Sequence, residues 1–165
     1  LYTDDMAVDL VMAANQPLIS RYMSDRFPYP YTHEDAAEWI AFTREESEPL
    51  NYAVFLGKEL VGGVGAAHLG SERTGTYEIG WWLTPTKWGR GITTAAARAL
   101  IDELFGVRGA MKLWAPVMAP NTASAAVATK VGMVLEGTRQ QTSLKCGVRH
   151  DQLDFGMTRD QWASS

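Results

Sequence analysis

The sequence holds few of the residues from which the commonest identifiable sites are built. It has one cysteine, Cys146, so it can form no intramolecular disulfide framework, and this usage suits a reducing, cytoplasmic setting. With no matching histidine motif, the thiol reads as structural or incidental rather than nucleophilic. The three histidines, His33, His68 and His150, are dispersed without metal-ligand spacing, and no Ser-His-Asp or Cys-His arrangement is visible. No segment approaches the roughly 20 apolar residues that a membrane span needs. The formal charge is −4 with no Lys/Arg cluster, which argues against a nucleic-acid surface and suits a cationic acceptor. A signal peptide is absent too, and the chain begins at Leu1 rather than Met. There is no linker, repeat or low-complexity stretch, so residues 1–165 read as one domain.

What the sequence does contain is a strand running into a glycine turn that opens a helix. Tyr77-Glu78-Ile79-Gly80-Trp81-Trp82-Leu83 is followed by Thr84-Pro85-Thr86-Lys87-Trp88-Gly89-Arg90-Gly91-Ile92-Thr93-Thr94-Ala95. The first N–H groups of a helix lack intrahelical partners and sit at the positive end of its dipole. Glycines let the backbone approach a ligand closely, and Arg90 adds charge, so the turn suits a phosphate. The dinucleotide fingerprint's third glycine and the nucleotide P-loop's Gly-Lys-Ser/Thr are both missing. A second segment, Lys112–Val117, reads as a strand, and Pro120-Asn121-Thr122-Ala123-Ser124 starts a helix that ends at Gly132-Met133.

The remaining pattern is α/β in mixed order. Asp4 or Asp5 is expected to cap a first helix running to about Asn15, and Thr32-His33-Glu34-Asp35 resembles a capping box opening a second, to about Glu48. Asn51–Leu56 and Glu59–Leu69 predict a hairpin about Gly57-Lys58. Strand Thr76–Leu83, helix Ile92–Phe105, strand Lys112–Val117, helix Thr122–Val131, and strands Val134–Gln141 and Asp151–Thr158 follow. This order predicts a mostly antiparallel sheet with a parallel β-α-β crossover over Thr76–Val117.

Taken together, these motifs resemble those of the GNAT-fold N-acetyltransferases, in particular the branch that acetylates alanine or serine N-termini of ribosomal proteins. Glu78, Ile79, Gly80, Trp82 and Leu83 match the family's strand, Trp88, Gly89, Arg90 and Gly91 its turn, and Asn121, Ser124, Lys130 and Gly132 its helix. The resemblance extends over essentially the whole chain, with the family's first strand expected to precede Leu1. It departs from the family at Thr93, where Gly or Ala is usual, at Ala128, where many members carry a tyrosine, and at Met133, which replaces a phenylalanine.

The resemblance implies a sheet with two splayed parallel strands, helices on both faces, and acetyl-CoA as cofactor. The pantetheine would pair with backbone near Trp82, Leu83 and Thr84, with Asn121 touching it. The pyrophosphate would rest on the amides of Trp88, Gly89, Arg90, Gly91, Ile92 and Thr93, and Lys130 could reach a phosphate. An amine must be neutral to attack, which calls for a base. Glu78 takes that role and Ser124 assists the departing thiolate, with backbone N–H of Trp82 or Leu83 facing the carbonyl oxygen. Read without the family, the residues favour Glu78 as a solvent-facing strand residue or an arginine partner and Ser124 as a local cap, while Lys130 is equally a solvated lysine. Tyr29, Tyr31 and Trp39 would wall the acceptor pocket and His150 would touch it, although aromatics in such a loop also close cores; His33 and His68 read as structural. The acceptor is expected to be a primary amine, either a peptide N-terminus or a small amine, and relatives are monomers or homodimers. A GNAT-fold module that binds acyl-CoA without turnover is the alternative.

Overall fold

The computed structural model of the chain describes residues 1–25, 27–45 and 48–164. Six strands form one sheet in the order β1-β2-β3-β4-β6-β5: β1 Asn51–Leu56, β2 Glu59–Leu69, β3 Thr76–Leu83, β4 Lys112–Met118, β5 Val134–Lys145 and β6 Val148–Thr158. The pairs β1–β2, β4–β6 and β5–β6 are antiparallel, and β3–β4 is the parallel crossover that the sequence predicts. Two compact units divide the chain: Leu1–Gly65 with Trp81–Thr93, and Ala66–Gly80 with the residues from Thr94 onward. Among the described residues, no helix is long and apolar enough to cross a membrane.

The first unit carries α1 Ala7–Ala14, α2 Pro17–Ser20 and α3 His33–Glu45. The expected cap at Asp4 or Asp5 is not formed. Both residues already lie inside a 3-10 turn, Asp4–Met6, while Thr3 takes the extended conformation of a cap. The Asp4 carboxylate instead receives Arg44 Nη1 at 2.6 and 2.8 Å. The α3 capping box does form. Thr32 Oγ1 accepts the Asp35 N–H at 3.2 Å, and Asp35 Oδ2 accepts the Thr32 N–H at 2.7 Å. Hydrogen bonds from Thr32 hold the Asp35 carboxyl below the usual carboxylate range.

Aromatic rings fill the core of this unit. Tyr2 meets Trp39 edge-on at 6.1 Å, and Phe27 packs on Tyr31 at 5.0 Å and on Trp82 at 5.5 Å. Burial pushes the Tyr2 hydroxyl well above its ordinary pKa, although hydrogen bonds with the Trp39 and Trp82 side chains act the other way. Gly62 and Gly63 make this packing possible. A Cβ at Gly62 would collide with the Trp82 carbonyl oxygen, and one at Gly63 with the Tyr2 hydroxyl and the Trp82 indole nitrogen.

In the second unit, α4 (Ile92–Gly106, whose first two residues belong to the first unit) buries Ala97, Leu100, Ile101, Leu104 and Phe105. That spacing is the single apolar stripe of an amphipathic helix. Leu113, Ala115 and Val117 alternate inward along β4, as do Tyr77 and Ile79 on β3. The helix α5 spans Thr122–Lys130. A short helix absent from the sequence reading, α6 Arg159–Ala163, opens on a Thr158/Gln161 capping box. Arg159 donates to the carbonyls of Ala110 (2.9 Å) and Phe105 (2.6 Å), closing the end of α4. The β5–β6 hairpin is also longer than predicted. Its outer part is polar and lacks apolar alternation, and Cys146 and Gly147 make its turn in the left-handed region, at φ 49° and 77°.

Because the atom facing Gly62 belongs to the backbone, neither side can give way. Gly62→Ala should cost about 2–3 kcal/mol through overpacking, read as a lower urea midpoint at unchanged slope. An unchanged midpoint would show that the Val61–Gly63 segment tolerates a side chain.

Candidate active site

Leu83 ends β3, and the buried Thr84 donates its N–H to the Val61 carbonyl at 2.8 Å. A 3-10 turn, Pro85–Lys87, then separates the strand from the glycine turn, which the sequence reading joined directly. Two contacts pin this segment: Lys87 Nζ to Glu59 at 2.7 Å, and the exposed Trp88, whose indole N–H donates to the Leu83 carbonyl at 2.8 Å. Gly89 and Gly91 follow at φ 74° and 75°, a region that strains any L side chain, with nothing within 4 Å of where a Cβ would stand. Arg90 between them is exposed, and α4 begins at Ile92, with Thr93 half-buried. Of the residues expected to pair with pantetheine, Thr84 has already committed its N–H. Since successive residues turn their backbone groups to opposite sides of a strand, Leu83 offers its own away from Val61.

Glu78 lies in mid-strand. Its neighbours Tyr77 and Ile79 are buried, which turns Glu78 onto the opposite face, half-buried, in register with Trp114 of β4. The β3–β4 register runs for three pairs, Thr76↔Lys112 to Glu78↔Trp114, although β3 and β4 both continue. Burial pushes the Glu78 carboxyl above its ordinary range, the direction desolvation gives and the reverse of what a cationic partner would do.

The same face carries a polar cluster that no local motif announces. The Asp154 carboxylate accepts from the Trp114 indole at 3.0 Å, the Gln152 amide at 2.8 Å and Arg139 Nε at 2.6 Å. Desolvation acts to raise the Asp154 pKa, but these bonds and the Arg139 charge outweigh it and hold the carboxyl below the usual range. Arg139 also stacks over Trp114, 5.4 Å from the ring centroid. Beside the cluster, Lys112 pairs with Glu136 at 2.5 Å. The participants come from three strands, separated in sequence by up to 40 residues, so spacing alone gives no sign of them.

Asn121 caps α5, its side chain accepting the Ser124 N–H at 3.2 Å, and Ser124 is half-buried in the first turn. Lys130 is exposed, and its carbonyl accepts Arg98 Nη2 at 2.7 Å. Ala128 is fully buried, so a side chain at that position points into the core. Among the expected acceptor residues, Tyr29 is exposed, Trp39 half-buried, and Tyr31 buried in the aromatic core. His150 pairs with Ser143, six residues along β6 from Gly156, the residue level with Trp114. At strand rise that is about 20 Å from the level of Glu78, so the structure does not bring His150 and Glu78 together. His68 accepts the Gly75 N–H at 3.1 Å and packs on Tyr77, a structural role as read.

The family model for the acetyltransferase (GNAT) domain matches residues 2–134. The chain belongs to the GNAT acetyltransferase family. Acetyltransferases of this family take the acetyl group from acetyl-CoA. A Bacillus subtilis (strain 168) protein, YdaF, named as a provisional ribosomal N-acetyltransferase, is 29% identical over 85 residues, 52% of this chain and 46% of YdaF. The match thus spans less than half of that relative's length. YkkB, an uncharacterized protein of the same organism, is 27% identical over 134 residues, 78% of this chain and 76% of its own. Solved structures share the fold. A Bacillus anthracis GNAT-family acetyltransferase superposes with TM-score 0.84 at 21% identity, covering 96% of this chain and 92% of its own. RimL, a ribosomal L7/L12 α-N-protein acetyltransferase solved with coenzyme A, superposes with TM-score 0.83 at 21% identity, covering 97% and 92%.

The open left-handed turn at Gly89 and Gly91, the exposed Arg90 and the start of the α4 helix fit the pyrophosphate of the GNAT donor. For Glu78, a raised folded-state pKa means stability that is fully present below the unfolded pKa of about 4.3 and is lost as pH rises through the folded value. Glu78→Gln removes that loss. The variant should therefore gain stability relative to the parent between pH 4 and pH 7, compared by urea midpoints; a constant difference would mean the carboxyl is not desolvated.

Proposed function

We propose that the protein moves the acetyl group of acetyl-CoA to a primary amine by direct attack, with Glu78 as general base, either directly or through a water. The observation that carries this reading is Glu78 itself, a desolvated carboxyl held on the outward face of β3 by burial of its two neighbours. A carboxylate with a raised pKa is a better proton acceptor near neutral pH than an ordinary surface glutamate. When bound, acetyl-CoA supplies an acetyl thioester whose thiol, with a pKa of about 8.5, leaves readily as thiolate.

The chain's residues then divide the work. The amides of Trp88–Thr93 and the Arg90 side chain hold the pyrophosphate, Trp88 bracing the turn through its bond to Leu83. The backbone of Trp82, Leu83 and Thr84 serves the pantetheine, Leu83 foremost because Thr84 has committed its N–H, while Asn121 touches the same arm and Lys130 reaches a phosphate. Glu78 takes the amine proton. The Ser124 hydroxyl donates toward the thiolate, whose low basicity makes strong acid help unnecessary. Tyr29, Tyr31 and Trp39 are the candidate acceptor contacts, and His150, about 20 Å along β6 from the level of Glu78, is not among them. A peptide or protein N-terminal α-amine is the favoured acceptor class, supported by the motif resemblance and by the α-N-protein acetyltransferase RimL, which shares the fold, with small amines as the other class. The lone cysteine supports a cytoplasmic setting.

Measured as CoA-thiol release across a panel of amines, Glu78→Gln should lower kcat by about 10²–10⁴-fold while the acetyl-CoA Kd holds. Undiminished turnover would remove Glu78 as the base. Gly91→Ala forces a Cβ into the left-handed region at a cost of about 1–2 kcal/mol and should weaken acetyl-CoA binding about 5- to 30-fold. Unchanged affinity in that variant would mean the turn does not hold the pyrophosphate.

A further inference from the structure

Arg139 has a construction that an ion pair alone does not require. Its Nε is bonded to Asp154, and its Cζ lies over the Trp114 ring 5.4 Å from the centroid, so two contacts hold the guanidinium in place. Asp154 is itself fixed by Trp114 and Gln152, and its side chain is only 12% exposed, whereas that of Arg139 is 49% exposed. A guanidinium has five N–H donors, and the bond to Asp154 uses one. The terminal nitrogens form the planar fork that recognises carboxylate or phosphate in two-point fashion.

The location is as telling as the geometry. Trp114 is the register partner of Glu78. Arg139 belongs to β5, three strand spacings from β3, about 14 Å, and its guanidinium reaches back to 5.4 Å from the Trp114 ring, whose indole N–H points to Asp154 on β6, so it stands between one and three strand spacings from Glu78. On this face Lys112 is paired with Glu136, while Arg139 keeps its terminal N–H groups beyond the Nε bond to Asp154.

We propose that Arg139 anchors an anionic group carried by the acceptor, so that the amine deprotonated by Glu78 belongs to a peptide with an acidic residue close behind its N-terminus. This inference rests on the acetyl-transfer reading above. A span of one to three strand spacings, about 5–14 Å, corresponds to about two to four residues of extended chain, which places the acidic side chain just behind the first residue, and the second and third positions are the ones to vary. Trp114 and Gln152 act as positioning residues, holding Asp154 so that Asp154 can hold Arg139.

The test compares peptides that share a first residue and carry Asp or Glu, their amides Asn or Gln, or Lys at positions two and three, with free amino acids alongside. Two readouts are taken: kcat/KM by CoA release, and the Kd of each peptide for the enzyme–CoA complex, which needs no turnover. The parent should favour the acidic peptides over their amide counterparts at least 10-fold in both. In Arg139→Gln that ratio should fall to near one, with Arg139→Lys intermediate. Because Arg139→Gln alone leaves Asp154 without its cation, the double variant Arg139→Gln/Asp154→Asn, whose unfolding midpoint is checked, must lose the preference too. Equal binding of acidic and amide peptides by the parent, or a preference that survives in the variants, overturns the proposal. CoA binding without release to any amine would instead defeat the acetyl-transfer reading, with the peptide Kd values still deciding the role of Arg139.

Discussion

Burial of Tyr77 and Ile79 is the constraint on which the candidate site depends. A strand sends successive side chains to opposite faces, so fixing these two in the core leaves Glu78 no choice of direction. The same alternation sets it level with Trp114 and half-covers it. A carboxylate in that position loses hydration without gaining a cation, and its proton affinity rises. The chemistry assigned to this residue is thus a by-product of core packing one residue away on either side.

A second consequence follows on the same face. Asp154, Arg139, Trp114 and Gln152 satisfy one another, so a mostly buried carboxylate stays ionised where an unpaired one would not. An exposed arginine held this firmly differs from an ordinary surface cation, which spends most of its time solvated and mobile. The first unit solves a different problem, crowding the Trp82 indole and the Tyr2 phenol against β2 through two adjacent glycines. That crowding fixes the end of β3, from which Leu83 and Trp88 brace the glycine turn.

Much of this was legible in the residues. The bounds of β1, β2 and β3 were read to the residue because each is flanked by glycine, proline or a polar turn and carries its own periodicity. The α4 stripe and the Asn121 cap were equally local signals, as was the family's strand–turn–helix signature. The failures share one cause. Asp4 looks like a cap but is claimed by Arg44, 40 residues away. The outer hairpin of β5 and β6 is polar on both sides and is held by pairing rather than by pattern. The Asp154 cluster joins positions 114, 139, 152 and 154, which no motif connects.

By itself the sequence determined the family, the order of the elements, the glycine turn and the identity of the carboxylate on β3, because each is written in contiguous residues whose backbone preferences and periodicity act locally. Only the tertiary structure decided that Glu78 is desolvated, that Thr84 has already committed its N–H, that His150 stands far along β6 from Glu78, and that Arg139 is clamped beside Trp114. Those properties depend on which strands become neighbours and in what register. Register is settled by the burial of whole faces at once, not by the residues of any one segment.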